Sequence, residues 1–379
     1  MKTIYGITED SIMKITAARL YRQVQPFADG CYVCRGQSEE RFDSAIVALE
    51  AEDGTIGWGE AAPLGAFYAE AFPEAIRAGI VRLLPVLPGL DAAAPQRLHE
   101  RLNHAMLGQP AVKSAIDMAA WDLSARLAGQ PLSSLLGGAD GDRIPLYRSI
   151  SQAAPDAMAE KAAWLVQQGY HRLQVKVGDD PFEDIDRLRR VRDAVPDDIP
   201  LYADANGGWK LADALRFVEK TGDIDYVLEQ PCMAYADNLQ VSRRCGKPMV
   251  LDEGITCLGD LLQAHRDGVI SGVTLKIARL GGIGPTRLLR DVAVSLELEV
   301  TVEDTGGSTI DTAATAHLMV STPAPLRAHT VDFMNWVTVQ NATGMPPTEN
   351  GQLIVPEGPG LGIAVDINSL GDPVTEART

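Results

Sequence analysis

Five charged residues each close a short apolar run, at nearly even intervals. They are Lys176 in L-Q-V-K-V-G, Asp204 in L-Y-A-D-A-N, Glu229 in V-L-E-Q-P, Asp252 in V-L-D-E-G and Lys276 in T-L-K-I-A-R. Successive members lie roughly 23 to 28 residues apart. A (β/α)₈ barrel uses about 250 residues for eight units, or about 30 per unit. The spacing therefore predicts one charged group at the C-terminal end of each of five consecutive parallel strands, where barrels do their chemistry. Three carboxylates converging there would repel strongly unless a cation offsets them. Carboxylate oxygens without a neighbouring Cys or His suit Mg²⁺ or Mn²⁺. The third ligand is open at this point, because Asp252 and Glu253 are adjacent and strand neighbours face opposite ways.

Lys176 and Lys276 are the acid/base candidates. A free lysine titrates near 10.4, so a basic role needs burial or nearby positive charge to lower it. Lysines from the second and sixth strands would flank the barrel mouth from opposite sides. One could then take a weakly acidic proton alpha to a carboxylate while the other protonates the opposite face or assists a leaving group. A divalent cation on the carboxylate oxygens would stabilise the enediolate. Asn206, two residues after Asp204, is placed to contact metal or substrate. Glu303 and Asp304 end the seventh strand and could bind substrate or hold a lysine. Asp332 ends the eighth and could pair with a cationic nitrogen on the substrate. His317 and His329 read as structural, since neither has a partner spaced for a nucleophilic triad.

These groups need a scaffold of alternating strands and helices, and residues 144 onward supply one. The expected strands are 144–150, 172–177, 199–203, 225–228, 249–251, 272–275, 299–302 and a weaker 328–332, with helices such as 155–168 and 182–195 between them. Residues 13–60 read as a β-meander with a turn at Asp53-Gly54. Residues 69–127 are helical in period, stopped by Gly129 and Pro131. The tail after Thr343 carries strand signals at 353–355 and 363–365 and is expected to pack back on the N-terminal region. The expected fold is α/β: an α+β cap from residues 13–140 with 345–379, and a barrel from 141–344. Residues 1–12 differ in pattern and read as an extension or an alternative start.

Composition limits the partners. The chain has 379 residues, 46% of them hydrophobic, and a net charge of −17. That balance argues against nucleic acid or an anionic membrane. No run approaches the roughly 18 apolar residues of a membrane helix, and no secretory leader is visible. Five cysteines, with a lone C-x-x-C at Cys31 and Cys34, read as ordinary thiols in a reducing cytosol. The expectation is a cytoplasmic homo-oligomer acting on a small carboxylate.

The chain resembles the enolase superfamily, in its muconate-lactonizing-enzyme subgroup. The resemblance runs from Met13 nearly to the end. It is carried by I-G-W-G-E (56–60), A-I-D-M-A-A-W-D (115–122), G-Q-P-L-S-S-L-L-G-G (129–138), the three acidic strand ends, L-K-I-A-R-L-G-G (275–282) and P-G-L-G (359–362). It implies a modified (β/α)₇β barrel with an α+β cap, and Mg²⁺ held by Asp204, Glu229 and Asp252, favouring Asp252 over Glu253. It implies Lys176 as the second-strand base and Lys276 as its sixth-strand partner; lysine with Mg²⁺ is the known pattern of that superfamily. The usual second-strand K-x-K is here Gln174-Val175-Lys176. That departure, with D-T-G-G-S at 304–308, resembles relatives acting on proline derivatives. The resemblance therefore implies dehydration of a 3-hydroxyproline or 2-epimerisation of a proline betaine. The loop of residues 27–35, which includes Tyr32, and the pair Phe67 and Tyr68 would close over the substrate. The alternatives are a cycloisomerase or synthase of the muconate or o-succinylbenzoate type, and an amino-acid or dipeptide epimerase. The single acid in V-D-F, where dipeptide epimerases carry D-x-D, argues against the last. Outside the family stand a Schiff-base aldolase and a barrel that only binds ligand.

Overall fold

A computed structural model describes residues 12–69 and 71–379, so the reading of the first dozen as an extension falls almost wholly outside the described residues. The first strands are β1 (Ile15–Pro26), the small hairpin of β2 (Tyr32–Cys34) and β3 (Gln37–Glu39), β4 (Arg41–Ala51) and β5 (Ile56–Ala61). Helices α1 (Pro73–Leu83), α2 (Pro95–Ala105), α3 (Pro110–Leu127) and the short α4 (Leu132–Leu135) follow. Then come β6 (Arg143–Pro145), β7 (Arg148–Ile150), β8 (Leu173–Lys176), β9 (Leu201–Asp204), β10 (Val227–Glu229), β11 (Met249–Leu251), β12 (Gly272–Lys276) and β13 (Glu299–Glu303). Their connecting helices are α5 (Pro155–Gln167), α6 (Pro181–Ala194), α7 (Leu211–Lys220), α8 (Tyr235–Cys245), α9 (Leu258–Arg266), α10 (Ile277–Leu280), α11 (Ile283–Ser295) and α12 (Thr309–Val320). The tail adds β14 (Ala342–Thr343), β15 (Gln352–Ile354), β16 (Ala364–Val365), α13 (Ile367–Leu370) and β17 (Thr375–Arg378).

Strands β7 to β13 form one curled parallel sheet in strict chain order. The eighth position is not a regular strand. Instead residues 327–330 bridge the two edges: Ala328 N donates to Val300 O, Thr330 N to Pro145 O, and Tyr147 N to Thr330 O. The expected first strand, 144–150, is also split. Pro145 has no N–H to offer a ladder, and the chain changes partner there: β6 pairs antiparallel with β15, while β7 joins β8.

The antiparallel sheet runs β17-β1-β4-β5. Helix α3 lies against it and is buried along nearly its whole length, from Val112 to Ala125. Such a helix needs small neighbours. A Cβ at Gly59 would lie 2.0 Å from Ala115 O, and one at Gly57 2.3 Å from Ala119 O. The I-G-W-G-E motif is thus a strand whose glycines admit a helix backbone. The two acids of A-I-D-M-A-A-W-D are struts. Asp117 accepts from His99 and from Gly284 N, and Asp122 from Trp58 N, Arg126 and Leu361 N. The last bond ties the P-G-L-G turn to α3. The tail signals at 353–355 and 363–365 correspond to β15 and β16, which pair with β6 and β14 rather than with the antiparallel sheet. Only β17 joins that sheet, beside β1.

Among the described residues no helix is long and apolar enough to cross a membrane.

Candidate active site

Strand ends deliver the charged residues. Lys176, Asp204, Glu229, Lys276 and Glu303 are the last residues of β8, β9, β10, β12 and β13, and Asp252 follows β11 directly. Parallel pairing sets Lys176 beside Asp204, Asp204 beside Glu229, and Lys276 beside Glu303. All six are at least 96% buried. Four strand positions separate β8 from β12, so the two lysines enter from opposite sides, and both line one small cavity of about 30 Å³.

Each carboxylate has definite partners. Asp204 Oδ2 accepts from Lys176 Nζ at 2.5 Å, and its Oδ1 from Asn206 N at 2.8 Å. Glu229 accepts from Gln174 Nε2 at 2.9 Å and Thr274 Oγ1 at 3.0 Å. Asp252 pairs with Arg279 and with Lys276 at 3.1 Å. Lys276 also reaches Glu303 at 2.9 Å and the Tyr68 hydroxyl. Asn206 holds a left-handed backbone (φ 45°), and its side chain donates to Asp204 and Glu253 and accepts from Lys176.

The electrostatics follow. Burial, then repulsion from Asp204, Asp252 and Glu303, pushes the Glu229 carboxyl well above the usual range. Burial also works to raise Asp252, but Arg279 and Lys276 outweigh it and hold it low. Desolvation, with Asp252 and Asp204 beside it, pushes the half-buried Glu253 up to about 7. The lysines depart from expectation. Burial opposes their charge, yet Asp204 holds the Lys176 ammonium well above its ordinary value, and Asp252 with Glu303 does the same for Lys276. A lysine so paired stays protonated. It becomes a base only when the charge of its carboxylate partners is offset.

The donor set suits a hard divalent cation. Asp204, Glu229 and Asp252 come from three consecutive strands and lack imidazole or thiolate neighbours, and the raised Glu229 marks an excess of negative charge. In this arrangement ammonium, guanidinium and amide groups engage their oxygens. Among the described residues no three Asp, Glu, His or Cys side chains converge closely enough to hold an ion.

The aromatic residues form a roof. The β2–β3 hairpin docks on the barrel rim through Val33 N to Ser151 Oγ and Gln152 N to Val33 O, and Tyr32 OH meets Ser149 Oγ at 2.9 Å. Tyr68 covers Lys276, its ring centroid 4.8 Å from Nζ. Phe67 packs with this cluster from the side.

At the seventh strand, Glu303 faces Lys276. Asp304 turns back to accept from Ala278 N and Thr305 N, although it still borders the cavity. Asp332 lies off the constellation. It is fully buried among Arg148, Asn335 and Tyr170 and does not line the lysine cavity.

Arg279, Tyr147, Ser149 and Trp336 border or bond this site and were missed in the sequence; Gln174 was noted only as a departure. Gln174 was findable, being two residues before Lys176 on the same strand face. Tyr147, which bonds Glu303, precedes its strand and gives no signal of its own.

A parallel barrel that gathers acids and opposed lysines at its strand ends, under a roof from an antiparallel sheet region, defines a class of barrel enzyme. The comparisons place the chain within it. Residues 157–369 match the model of the enolase C-terminal domain-like family, and residues 31–137 that of the mandelate racemase / muconate lactonizing enzyme N-terminal domain. The chain belongs to the enolase superfamily and is one of its enzymes. It is 38% identical over 363 residues to a cis-3-hydroxy-L-proline dehydratase of Roseibium aggregatum, covering 96% of this chain and 99% of that one. It is 30% identical to an N-succinyl-L-Arg/Lys racemase of Bacillus cereus, over 82% of this chain and 85% of that one. A mandelate racemase/muconate lactonizing enzyme from Roseovarius nubinhibens superposes with a TM-score of 0.93 at 35% identity, covering 97% and 99% of the two chains. Another from that organism, complexed with magnesium, gives 0.92 at 33% identity, covering 96% and 99%.

Proposed function

We propose that this enzyme removes the α-proton of a small carboxylate substrate, and that the substrate is a proline derivative undergoing dehydration, a cis-3-hydroxyproline. One observation carries the reading: Lys176 and Lys276 border the same small cavity from opposite barrel positions. The likeness to the Roseibium dehydratase over almost the full chain supports the substrate class. Asp204, Glu229 and Asp252 would hold Mg²⁺, or Mn²⁺ in its place. When bound, the ion supplies positive charge to the substrate carboxylate and lowers the cost of building negative charge there.

The chain's own groups do the rest. Lys176, freed of its proton, takes the hydrogen from the α-carbon on one face. Lys276, held charged by Asp252 and Glu303, stands on the other face and gives its proton to the departing hydroxyl, which leaves as water. The α-carbon loses a proton and the β-carbon loses hydroxide, so the product is unsaturated between them and charge balances. Tyr32, Tyr68, Leu64 and Trp336 border the cavity and exclude bulk water. Epimerisation would use the same two lysines, the second returning a proton to carbon instead of oxygen.

The test is proton NMR in D₂O with Mg²⁺. Wild-type protein should wash deuterium into the α-position or form the dehydrated product. Lys176→Ala should lose both exchange and product, while Lys276→Ala should keep α-exchange and lose the dehydrated product. Absence of both exchange and product across a panel of proline derivatives would remove this substrate class.

A further inference from the structure

The acid expected to meet a cationic nitrogen already has a cation. Asp332 Oδ1 accepts from Arg148 Nη1 at 3.4 Å, while Oδ2 accepts from Asn335 Nδ2 at 2.7 Å and Tyr170 OH at 3.4 Å. The same guanidinium lies 4.8 Å from the centroid of the Trp336 ring. A buried carboxylate next to an aromatic face is what holds an organic ammonium group. Here one side chain of the protein covers both.

The location matters. Arg148 opens β7 and lines a cavity of about 230 Å³ with Asp29, Lys161, Ser149, Tyr32 and Trp336. Ser149, Tyr32 and Trp336 also line the lysine cavity, so Arg148 stands one wall from the reacting groups. Asp29, in the loop before the β2–β3 hairpin, meets Arg148 at 3.6 Å and Lys161 at 3.4 Å. Asp332 is fully buried, so its charge is screened little by water. A substrate cation brought to this acid and this ring would have to displace Arg148 or repel it.

We infer that Arg148 is a resident cation in a subsite otherwise fitted for a substituted ammonium group, and that it makes the enzyme select against substrates carrying a permanent positive charge. The inference rests on the proline-derivative reading and sharpens it. A secondary amine can lose its proton or donate hydrogen bonds elsewhere in the cavity. A quaternary nitrogen can do neither. The enzyme is thereby directed toward a hydroxyproline with a free ring nitrogen and away from its N,N-dimethyl betaine.

The experiment uses the full-length chain and tetramethylammonium chloride as probe, titrated calorimetrically against a sodium chloride control. Wild type should bind the probe no better than sodium. Arg148→Ala should bind it at least about tenfold more tightly, as expected for a desolvated cation on an aromatic face. The double variant R148A/D332N should lose that gain. R148M removes the charge while keeping part of the side-chain bulk and guards against a folding defect in R148A; it must also bind the probe more tightly than wild type, by less than R148A does. A second readout is the ratio of kcat/KM for cis-3-hydroxyproline over its N,N-dimethyl form, which should fall at least tenfold in R148A. A purely structural Arg148 would lower activity on both substrates alike and create no affinity for the probe, and either result overturns the inference. Failure of the substrate reading would look different: wild type would turn over neither compound, while the probe titrations would still decide the role of Arg148.

Discussion

At Lys176 and Lys276 two effects of burial compete. Desolvation favours the neutral amine, and the buried carboxylates favour the ammonium; in this geometry the carboxylates win. A general acid or base of this kind contributes about 10²–10⁴-fold to rate. Lys276→Ala should therefore lower kcat by that range with little change in KM, as steady-state kinetics would show; a loss confined to KM would make Lys276 a binding group. Gln174 is the second residue-scale case. Its amide donates to Glu229, while its Oε1 has no partner. Gln174→Leu would leave Glu229 with Thr274 alone, at a cost of about 1–3 kcal/mol for a buried acceptor stripped of a donor. Urea denaturation should register the loss, and an unchanged midpoint would show that Gln174 contributes nothing to holding that carboxylate. The charged strand ends were legible because each closes an apolar run at barrel spacing. The choice between Glu303 and Asp304 was not, since neighbouring acids differ only in the face they take. Nor was Arg148, which gains its meaning from Asp332 and Trp336, far along the chain.

Among the elements, the junction of β5 and α3 is the least forgiving. Gly59 would collide through a Cβ with the backbone of Ala115 and Ala119, and backbone cannot step aside as a flexible side chain can. Gly59→Ala should destabilise the protein by at least about 3 kcal/mol, the upper end of ordinary overpacking. A thermal melt within a degree or two of wild type would contradict this packing. Helix α3 was legible from its apolar spacing and its Gly129 stop, and seven of the barrel positions from strand–helix alternation. The eighth was legible only in place: residues 327–330 bridge both edges without becoming a regular strand. Strand β17 was missed because T-E-A-R has no apolar alternation, and the chain forms it by pairing with β1 rather than from local preference.

Over the whole molecule, stability should depend on pH through buried histidine. His317 lies within α12, and burial lowers it to about 4 from an ordinary 6.5. Its Nδ1 accepts from Ser133 N, while Nε2 has no partner. The folded state therefore binds fewer protons than the unfolded one between those values. The stabilisation is fully present above about 6.5 and is lost as pH falls toward about 4. His317→Asn should flatten the acid limb of stability against pH measured by urea melts, and an unaltered limb would assign it to other groups. The chemistry of the whole molecule depends on one arrangement, three acids from consecutive strands sharing a divalent ion between two lysines. Anomalous diffraction from crystals grown with Mn²⁺ addresses it directly. The expected result is a single strong peak bonded to Asp204, Glu229 and Asp252, with Lys176 and Lys276 on either side. A peak elsewhere, or none at millimolar Mn²⁺, would contradict it.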